Sequence, residues 1–249
     1  MSASRAVRAL TVAGCAGLAW AGLASQTAAT AAAAREPSCR PYDPAKDLKL
    51  APWAQRREAT LLVDSVLLSA YPGVKRAMPC WHVAKRGRPA LMIGIAEREL
   101  SAARRRVWPV VVVGLGYNSL WERNRRNYDR WAARFDDEAS RLIATLKRLG
   151  AQQIVWVTLR EPRRSTSPAH AVGELSQYSW YFPYVNARLR RLADRDRAVV
   201  LANWTTASDR SGVTYDSIHC NAEGALLMGR TIKHAIGNEA RRQARAGGG

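Results

Sequence analysis

A run of valines at positions 110–113 constrains the fold more than any other feature of this 249-residue chain. Four consecutive β-branched residues without polar alternation are typical of a strand buried on both faces, as in parallel sheets covered by helices. A Gly-Leu-Gly segment at 114–116 ends the run. The sequence therefore predicts that this strand lies in the centre of an α/β domain.

Strand-like and helix-like segments alternate around this strand, which is the pattern of a parallel sheet flanked by helices. The first predicted helix is expected to break at Pro72-Gly73, because proline disrupts helix interiors. Residues 160–182 are expected to form a long loop near the mouth of a site. We predict further strands at 60–63, 81–84, 154–158 and 199–202, and helices at 66–71, 130–149, 184–193 and 222–236.

The first 34 residues have the layout of a secretory signal peptide. Arg5 and Arg8 precede an uncharged stretch rich in Ala, Gly and Leu that ends in Ala-x-Ala at 32–34. We therefore predict a protein that is secreted or associated with the cell envelope. An uncleaved anchor is an alternative, although the most apolar part is shorter than the about 20 residues of a spanning helix. Lipidation at Cys15 is a weaker alternative, because little apolar chain precedes that residue.

The rest of the chain is long enough for one domain with a buried core, but not for two large ones. We expect an irregular lead-in at 35–58, one α/β domain at 59–237 and a disordered tail at 238–249. No integral membrane domain is expected beyond the signal segment.

The formal net charge of +19 predicts attraction to anionic polymers or lipids. Because the basic residues are scattered and an export signal is predicted, we expect anionic cell-envelope material as a partner and not nucleic acid.

Three cysteines follow the predicted signal peptide: Cys39, Cys80 and Cys220. In an oxidising compartment, one disulfide and one remaining thiol are expected. Cys80 and His82, taken together with His219 and Cys220, do not have the spacing of a known zinc site. We therefore interpret the cysteines as structural and expect neither a metal nor a cofactor.

Polar residues and glycines follow several predicted strands, at the edge where parallel α/β proteins bind ligands. Ser65, Gly87 and Asn118 follow three of the strands, and Asp216 and His219 precede the last helix. Serine esterolysis needs a hydroxyl, a base, a carboxylate that orients the base, and donors for the oxyanion. Each of these groups is available at a predicted strand exit or next to one.

Three sequence blocks carry a family resemblance. Val-Asp-Ser-Val-Leu at 63–67 resembles the Gly-Asp-Ser block of the SGNH (GDSL-like) hydrolases, Gly-Tyr-Asn at 116–118 resembles their Gly-x-Asn block, and Asp-Ser-Ile-His at 216–219 resembles their Asp-x-x-His block. The order and the separations also agree. For residues 59–237 the resemblance implies a three-layer α/β/α sandwich, flavodoxin-like, with a mostly parallel sheet of about five strands.

The same resemblance implies roles for individual residues. Ser65 would be the nucleophile, His219 the general base and Asp216 the carboxylate that orients it. The oxyanion hole would consist of the backbone N–H groups of Ser65 and Gly87 and the side-chain amide of Asn118. The implied activity is hydrolysis of an acyl ester of a lipid or of an acylated cell-envelope saccharide, through an acyl-serine intermediate. An O-acyltransferase with the same triad and a non-catalytic envelope glycan-binding protein are the alternatives.

Three further expectations concern neighbouring positions. Val63 replaces the family's glycine, and since a β-branched residue does not readily adopt positive φ, we expect ordinary β backbone there. Asp64 is expected to cap the following helix. His170 is not part of any of the three sequence blocks, and we expect no catalytic role for it. Cys80 lies just before its strand, at the edge opposite the predicted site, so we predict that it pairs with Cys39 and not with Cys220.

Overall fold

A computed structural model describes Cys39 and residues 50–119, 128–174 and 180–246, which belong to one compact unit, Pro37–Gly249. The predicted signal peptide, 1–34, lies outside the described residues. Within them, no helix combines the length and the apolar character that a membrane crossing requires. The strands are β1 (Glu58–Val63), β2 (His82–Gly87), β3 (Val110–Gly114), β4 (Gln153–Val157) and β5 (Val199–Ala202).

The five strands form one parallel sheet in the order β2-β1-β3-β4-β5. This is the flavodoxin-like order, in which ligands bind beyond the carboxyl ends of the strands near β1 and β3. The valines at 110–113 form the centre of the sheet and are all 0% exposed. The predicted central strand and fold class are therefore confirmed.

Helices cover both faces of the sheet and complete a three-layer sandwich. One apolar core lies between the sheet and α3, α4 and α5, and a second lies between the sheet and α1, α2 and α7. The helices are α1 (Pro52–Gln55), α2 (Ser65–Ala77), α3 (Ile93–Ala103), α4 (Tyr128–Arg148), α5 (Tyr181–Arg195), α6 (Trp204–Ala207) and α7 (Ala222–Ala246).

The expected break of the first helix is wrong, because α2 continues through Pro72 to Ala77. Its packing against α7 explains this. A Cβ atom at Gly73 would lie 2.0 Å from the carbonyl carbon of Ala225, so the two backbones touch where Gly73 has no side chain. Tertiary packing thus maintains the helix where proline alone would disfavour it.

The predicted disordered tail is also wrong over 238–246, because α7 extends to Ala246. This extension is fixed by contacts with the lead-in and the sheet. Ala51 N–H donates to the carbonyl of Ala240 at 3.2 Å, and Trp53 Nε1 donates to Gln243 Oε1 at 2.8 Å. The lead-in is accordingly not wholly irregular, since it contains α1 and the start of β1.

Other differences are smaller. Helix α3 was not predicted, and β2 extends to Gly87, beyond the strand predicted at 81–84. The long loop after β4 contains two 3-10 turns, Arg164–Thr166 and Ala169–Glu174, and α5 begins at Tyr181.

The predicted disulfide is present. Cys39 and Cys80 are bonded, with a Cα–Cα distance of 5.2 Å. Cys220 is a buried free thiol. The bond attaches the lead-in to the chain just before β2, at the sheet edge opposite the residues discussed next.

Candidate active site

Ser65 is the first residue of α2, two residues after the end of β1. The turn between them is formed by Asp64, whose Oδ1 accepts hydrogen bonds from the backbone N–H groups of Val66 at 2.9 Å and Leu67 at 3.3 Å. Val63 ends the strand and is not among the residues with positive φ. The predicted cap and the predicted β backbone at Val63 are both confirmed.

Asp64 also connects two strand exits. It is 0% exposed, and its Oδ2 accepts a hydrogen bond from Asn118 Nδ2, after β3, at 3.3 Å. Burial raises the pKa of Asp64 to about 7, although the backbone N–H bonds of Leu67 and Val66 act in the opposite direction. The residue before Ser65 is thus a buried carboxyl that takes up a proton near neutral pH.

Asp216 and His219 are brought to Ser65 by the loop at 208–221, between α6 and α7. Asp216 Oδ2 lies 2.6 Å from His219 Nδ1, and His219 Nε2 lies 2.9 Å from Ser65 Oγ. Asp216 Oδ1 accepts the backbone N–H of His219 at 2.7 Å. The structure therefore joins the three predicted triad residues in one hydrogen-bonded chain.

The pKa of Asp216 indicates the proton arrangement of this chain. Burial acts to raise that pKa, but the hydrogen bonds from the His219 ring and from the backbone outweigh burial and lower the pKa below its ordinary value. Asp216 is thus a carboxylate at neutral pH and accepts the proton of Nδ1. With Nδ1 directed at Asp216, Nε2 is the ring nitrogen that faces the Ser65 hydroxyl.

Local contacts fix this loop to α2. Cys220 N–H donates to Ser69 Oγ at 2.9 Å, and Ser69 Oγ–H donates to the carbonyl of Val66 at 2.7 Å. Ser217 has a φ of 76°, an unfavourable value for a residue with a side chain. The surrounding contacts must offset this strain, which is typical of backbone at a functional site.

Arg160, three residues after the end of β4, holds the other end of the loop. Its side chain is 1% exposed and donates from Nη1 to the carbonyl of Ser208, and from Nη2 to the carbonyl of Thr166 at 2.6 Å. Both nitrogens also contact the carbonyl of Arg210, at 3.3 and 3.4 Å. Burial lowers the pKa of Arg160. A buried guanidinium bound to carbonyls thus ties the loop to the sheet.

Gly87 and Asn118 lie at the same edge of the sheet as Ser65. Gly87 ends β2 beside Val63, with a φ of 127°. A Cβ there would lie 2.1 Å from the Val63 carbonyl oxygen, so only glycine fits. Asn118 follows β3, and its side chain contacts Asp64 as described above. The three predicted oxyanion donors thus surround one strand-exit region, and their role remains a prediction.

Solved structures share this architecture. The catalytic domain of peptidoglycan O-acetyltransferase A from Streptococcus pneumoniae aligns with a TM-score of 0.50 and 17% identity, over 76% of this chain and 94% of that one. A GDSL-like lipase from Bacteroides thetaiotaomicron gives 0.54 and 14%, over 73% and 88%. A putative GDSL-like lipase from Parabacteroides merdae gives 0.55 and 12%, over 77% and 99%. The chain has the SGNH hydrolase fold.

At these identities the likeness concerns the fold of the SGNH hydrolases and not the substrate. The sequence matches no protein-family model and no curated protein. The SGNH fold is thus shown by the similarity to solved structures, with which the sheet order agrees.

Within this SGNH fold, two residues beside the triad were missed. Tyr215 is 53% exposed, and its ring stacks on that of His219 with centroids 5.8 Å apart and an interplanar angle of 14°. His170 Nε2 lies 2.8 Å from the Tyr215 carbonyl oxygen. His170 therefore contacts the loop at 208–221, although the sequence offered no signal for it. For Tyr215 the signal was an aromatic residue directly before the Asp-x-x-His block.

Among the residues that the structure describes, no group of three or more His, Cys, Asp or Glu side chains is arranged to hold a metal ion. In particular, Cys80 is engaged in a disulfide, and His82 is exposed and packs against Trp108.

Proposed function

We propose that this protein is an exported serine esterase that hydrolyses an acyl ester through an acyl-Ser65 intermediate. The observation that carries the proposal is the continuous hydrogen-bonded chain from Ser65 Oγ through the His219 ring to Asp216, with distances of 2.9 and 2.6 Å. A hydroxyl, an imidazole and a carboxylate in this order form the arrangement that activates a serine.

In the first step, Ser65 Oγ attacks the ester carbonyl while His219 Nε2 takes the hydroxyl proton. Asp216 stabilises the imidazolium that forms. The tetrahedral intermediate collapses, the C–O bond to the alcohol breaks, and His219 returns the proton to the departing alcohol. Water then attacks the acyl-serine by the same route in reverse, releasing the acid and restoring Ser65.

The oxyanion of each tetrahedral intermediate is bound at the start of α2. The Ser65 N–H points out of the N-terminus of a 13-residue helix, whose dipole favours negative charge. Asn118 Nδ2 and Gly87 N–H supply further donors from the neighbouring strand exits. Donors of this kind are fixed by the backbone, so they need no rearrangement during the reaction.

The substrate class that we propose is an acyl ester of a lipid or of an acylated cell-envelope saccharide. Support comes from the predicted signal peptide at 1–34 and from the similar structures, which include lipases and a peptidoglycan O-acetyltransferase domain. The net charge of +19 favours substrates embedded in anionic envelope material.

Acyl transfer to an alcohol is the second candidate. It is favoured by Tyr215, a half-exposed aromatic ring stacked on His219, where a sugar acceptor could lie instead of water. Product analysis with an acetyl donor and an added oligosaccharide separates the two: an acetylated oligosaccharide indicates transfer, and acetate alone indicates hydrolysis.

Purified protein and p-nitrophenyl esters of acetate and butyrate test the proposal. Ser65→Ala is expected to lower kcat by about 10⁶-fold, to background. Ser140→Ala, an exposed serine on α4, is the matched control and should retain full activity. Undiminished turnover in folded Ser65→Ala would refute the mechanism. Absence of turnover in the wild type, with binding to envelope glycans, would support the non-catalytic alternative.

A further inference from the structure

A groove of about 570 Å³ lies along α7, far from the candidate active site. Its volume is within the range of sites that bind small molecules, roughly 300–1,000 Å³. The floor is apolar. It is formed by Leu50, Ala54, Trp81, Ile236 and Ala240.

The rim of this groove is basic. Arg230, Lys233 and Arg241 line it, and the first two are exposed. No ion pair in the described part of the chain joins any of these three to a carboxylate. The nearby carboxylate of Glu239 is engaged by Arg242 at 2.5 Å. An apolar floor under unneutralised cations is complementary to an amphiphile with an anionic head.

The groove is separate from the catalytic chemistry. Helix α7 starts three residues after His219 and runs away from the site. Position 230 lies eight residues along that helix and position 241 nineteen, which correspond to about 12 and 28 Å at 1.5 Å per residue. Substitutions on the rim therefore leave the triad untouched.

The combination of floor and rim indicates which anionic ligand is relevant. A soluble anionic polymer would use the charges of the rim but not the apolar floor, whereas a bilayer lipid offers both an anionic head and an apolar chain. The groove is therefore complementary to a bilayer lipid and not to a soluble polymer.

We propose that this groove binds an anionic phospholipid of a membrane and so docks the domain on the bilayer surface. The acyl chain lies on the apolar floor beside Trp81, and the head-group phosphate is bound by Arg230, Lys233 and Arg241. This function is independent of the esterase activity and would hold even if the protein had none.

Sedimentation with vesicles tests the docking surface. Wild-type protein is expected to bind vesicles of 30% phosphatidylglycerol in phosphatidylcholine and not vesicles of phosphatidylcholine alone. Lys233→Glu with Arg241→Glu should weaken binding at least about ten-fold. Arg190→Glu with Arg191→Glu makes the same charge change on exposed positions of α5, on the opposite face of the sheet, and should retain most of the binding. An equal loss of vesicle binding in the two double variants would mean that the vesicles are attracted by the net charge of the protein and not by the groove, and this would overturn the proposal.

The apolar floor is tested by substitutions that leave the charge unchanged. Trp81→Ser is expected to reduce binding several-fold, while turnover of p-nitrophenyl acetate stays at the wild-type value. Leu50→Gln provides the same test if Trp81→Ser lowers the melting temperature. Full vesicle binding by a folded floor variant, or no vesicle binding by the wild type, would overturn the proposal.

Discussion

Ser65 and His219 face each other across 2.9 Å, yet the chain supports them in different ways. Ser65 lies where a buried strand becomes a helix, between Val63 at 0% exposure and Val66 at 2%. His219 lies in an irregular loop that contains a strained Ser217 and a half-exposed Tyr215. The support of Ser65 is regular and mostly apolar. That of His219 combines its buried neighbour Cys220 with hydrogen bonds from residues that are distant in sequence.

These contacts start from three separate elements. Arg160 binds the loop from the end of β4, His170 from the segment after it, and Ser69 from α2. Each bond joins residues more than forty positions apart in sequence. Hydrogen-bonded loops of this kind open more easily than the packed core. We therefore expect the site to lose its geometry first on the His219 side.

Of the substitutions Asp216→Asn, Asn118→Ala and Arg160→Met, the first is expected to have the largest effect. The ring of His219 loses the carboxylate that fixes its tautomer and stabilises its charged form, so kcat should fall about 10⁴-fold. Thermal unfolding should show a folded protein. The matched control is Asp209→Asn, an exposed carboxylate in the same loop. Full activity in folded Asp216→Asn would reduce the proposed triad to a Ser65–His219 pair.

On the Ser65 side, Asn118→Ala is expected to be less severe. Removal of one oxyanion donor typically lowers kcat about 10²- to 10³-fold, because other donors remain. KM should change little, since the interaction forms mainly in the transition state. An unchanged kcat would show that Asn118 serves only to contact Asp64.

The polar support of the loop is tested by Arg160→Met, which keeps much of the side-chain length but removes the donors. Displacement of the loop should lower kcat about 10- to 100-fold. Amide hydrogen exchange at 208–215 should become faster, while exchange in β1 stays unchanged. Arg164→Met, at an exposed position in the adjoining 3-10 turn, is the control. Unchanged exchange in the loop would show that the hydrogen bonds of Arg160 do not hold the loop that carries His219.

The same contrast explains which parts could be predicted from the sequence. The valine run and the Asp64-Ser65 turn are local patterns, so the central strand, the helix cap and the position of Ser65 were accessible. Helix α2 passes through Pro72 because of a contact with Ala225, which no local pattern contains. The ordered end of α7 likewise depends on contacts with Ala51 and Trp53.

For the site, the three sequence blocks indicated which residues meet but not what holds them together. Arg160 gave no signal because an arginine after a strand is usually solvated, and only the structure shows its side chain buried against carbonyls. The role of Ser69 was likewise accessible only once the loop and α2 were seen side by side.

The two sides of the site should also respond to pH in opposite directions. The pKa of Asp216 is lowered, so its contribution to stability is present above the ordinary pKa of 3.8 and is lost as the pH falls. The pKa of Asp64 is raised to about 7, so the native state favours its protonated form. The contribution of Asp64 is therefore fully present below pH 3.8 and is lost as the pH rises through 7.

Asp64→Asn tests this opposition with the smallest change in chemistry. Asparagine is a good N-cap, so the helix start should persist, but the side chain no longer titrates. The free energy of unfolding of the wild type, relative to Asp64→Asn, should decrease between pH 4 and 8 by at most about 4 kcal/mol. Urea unfolding at several pH values measures this difference, and Asp137→Asn, an exposed carboxylate on α4, is the control. A difference that stays constant across this range would show that Asp64 is ionised throughout, and the Ser65 side would then have no weakness at alkaline pH.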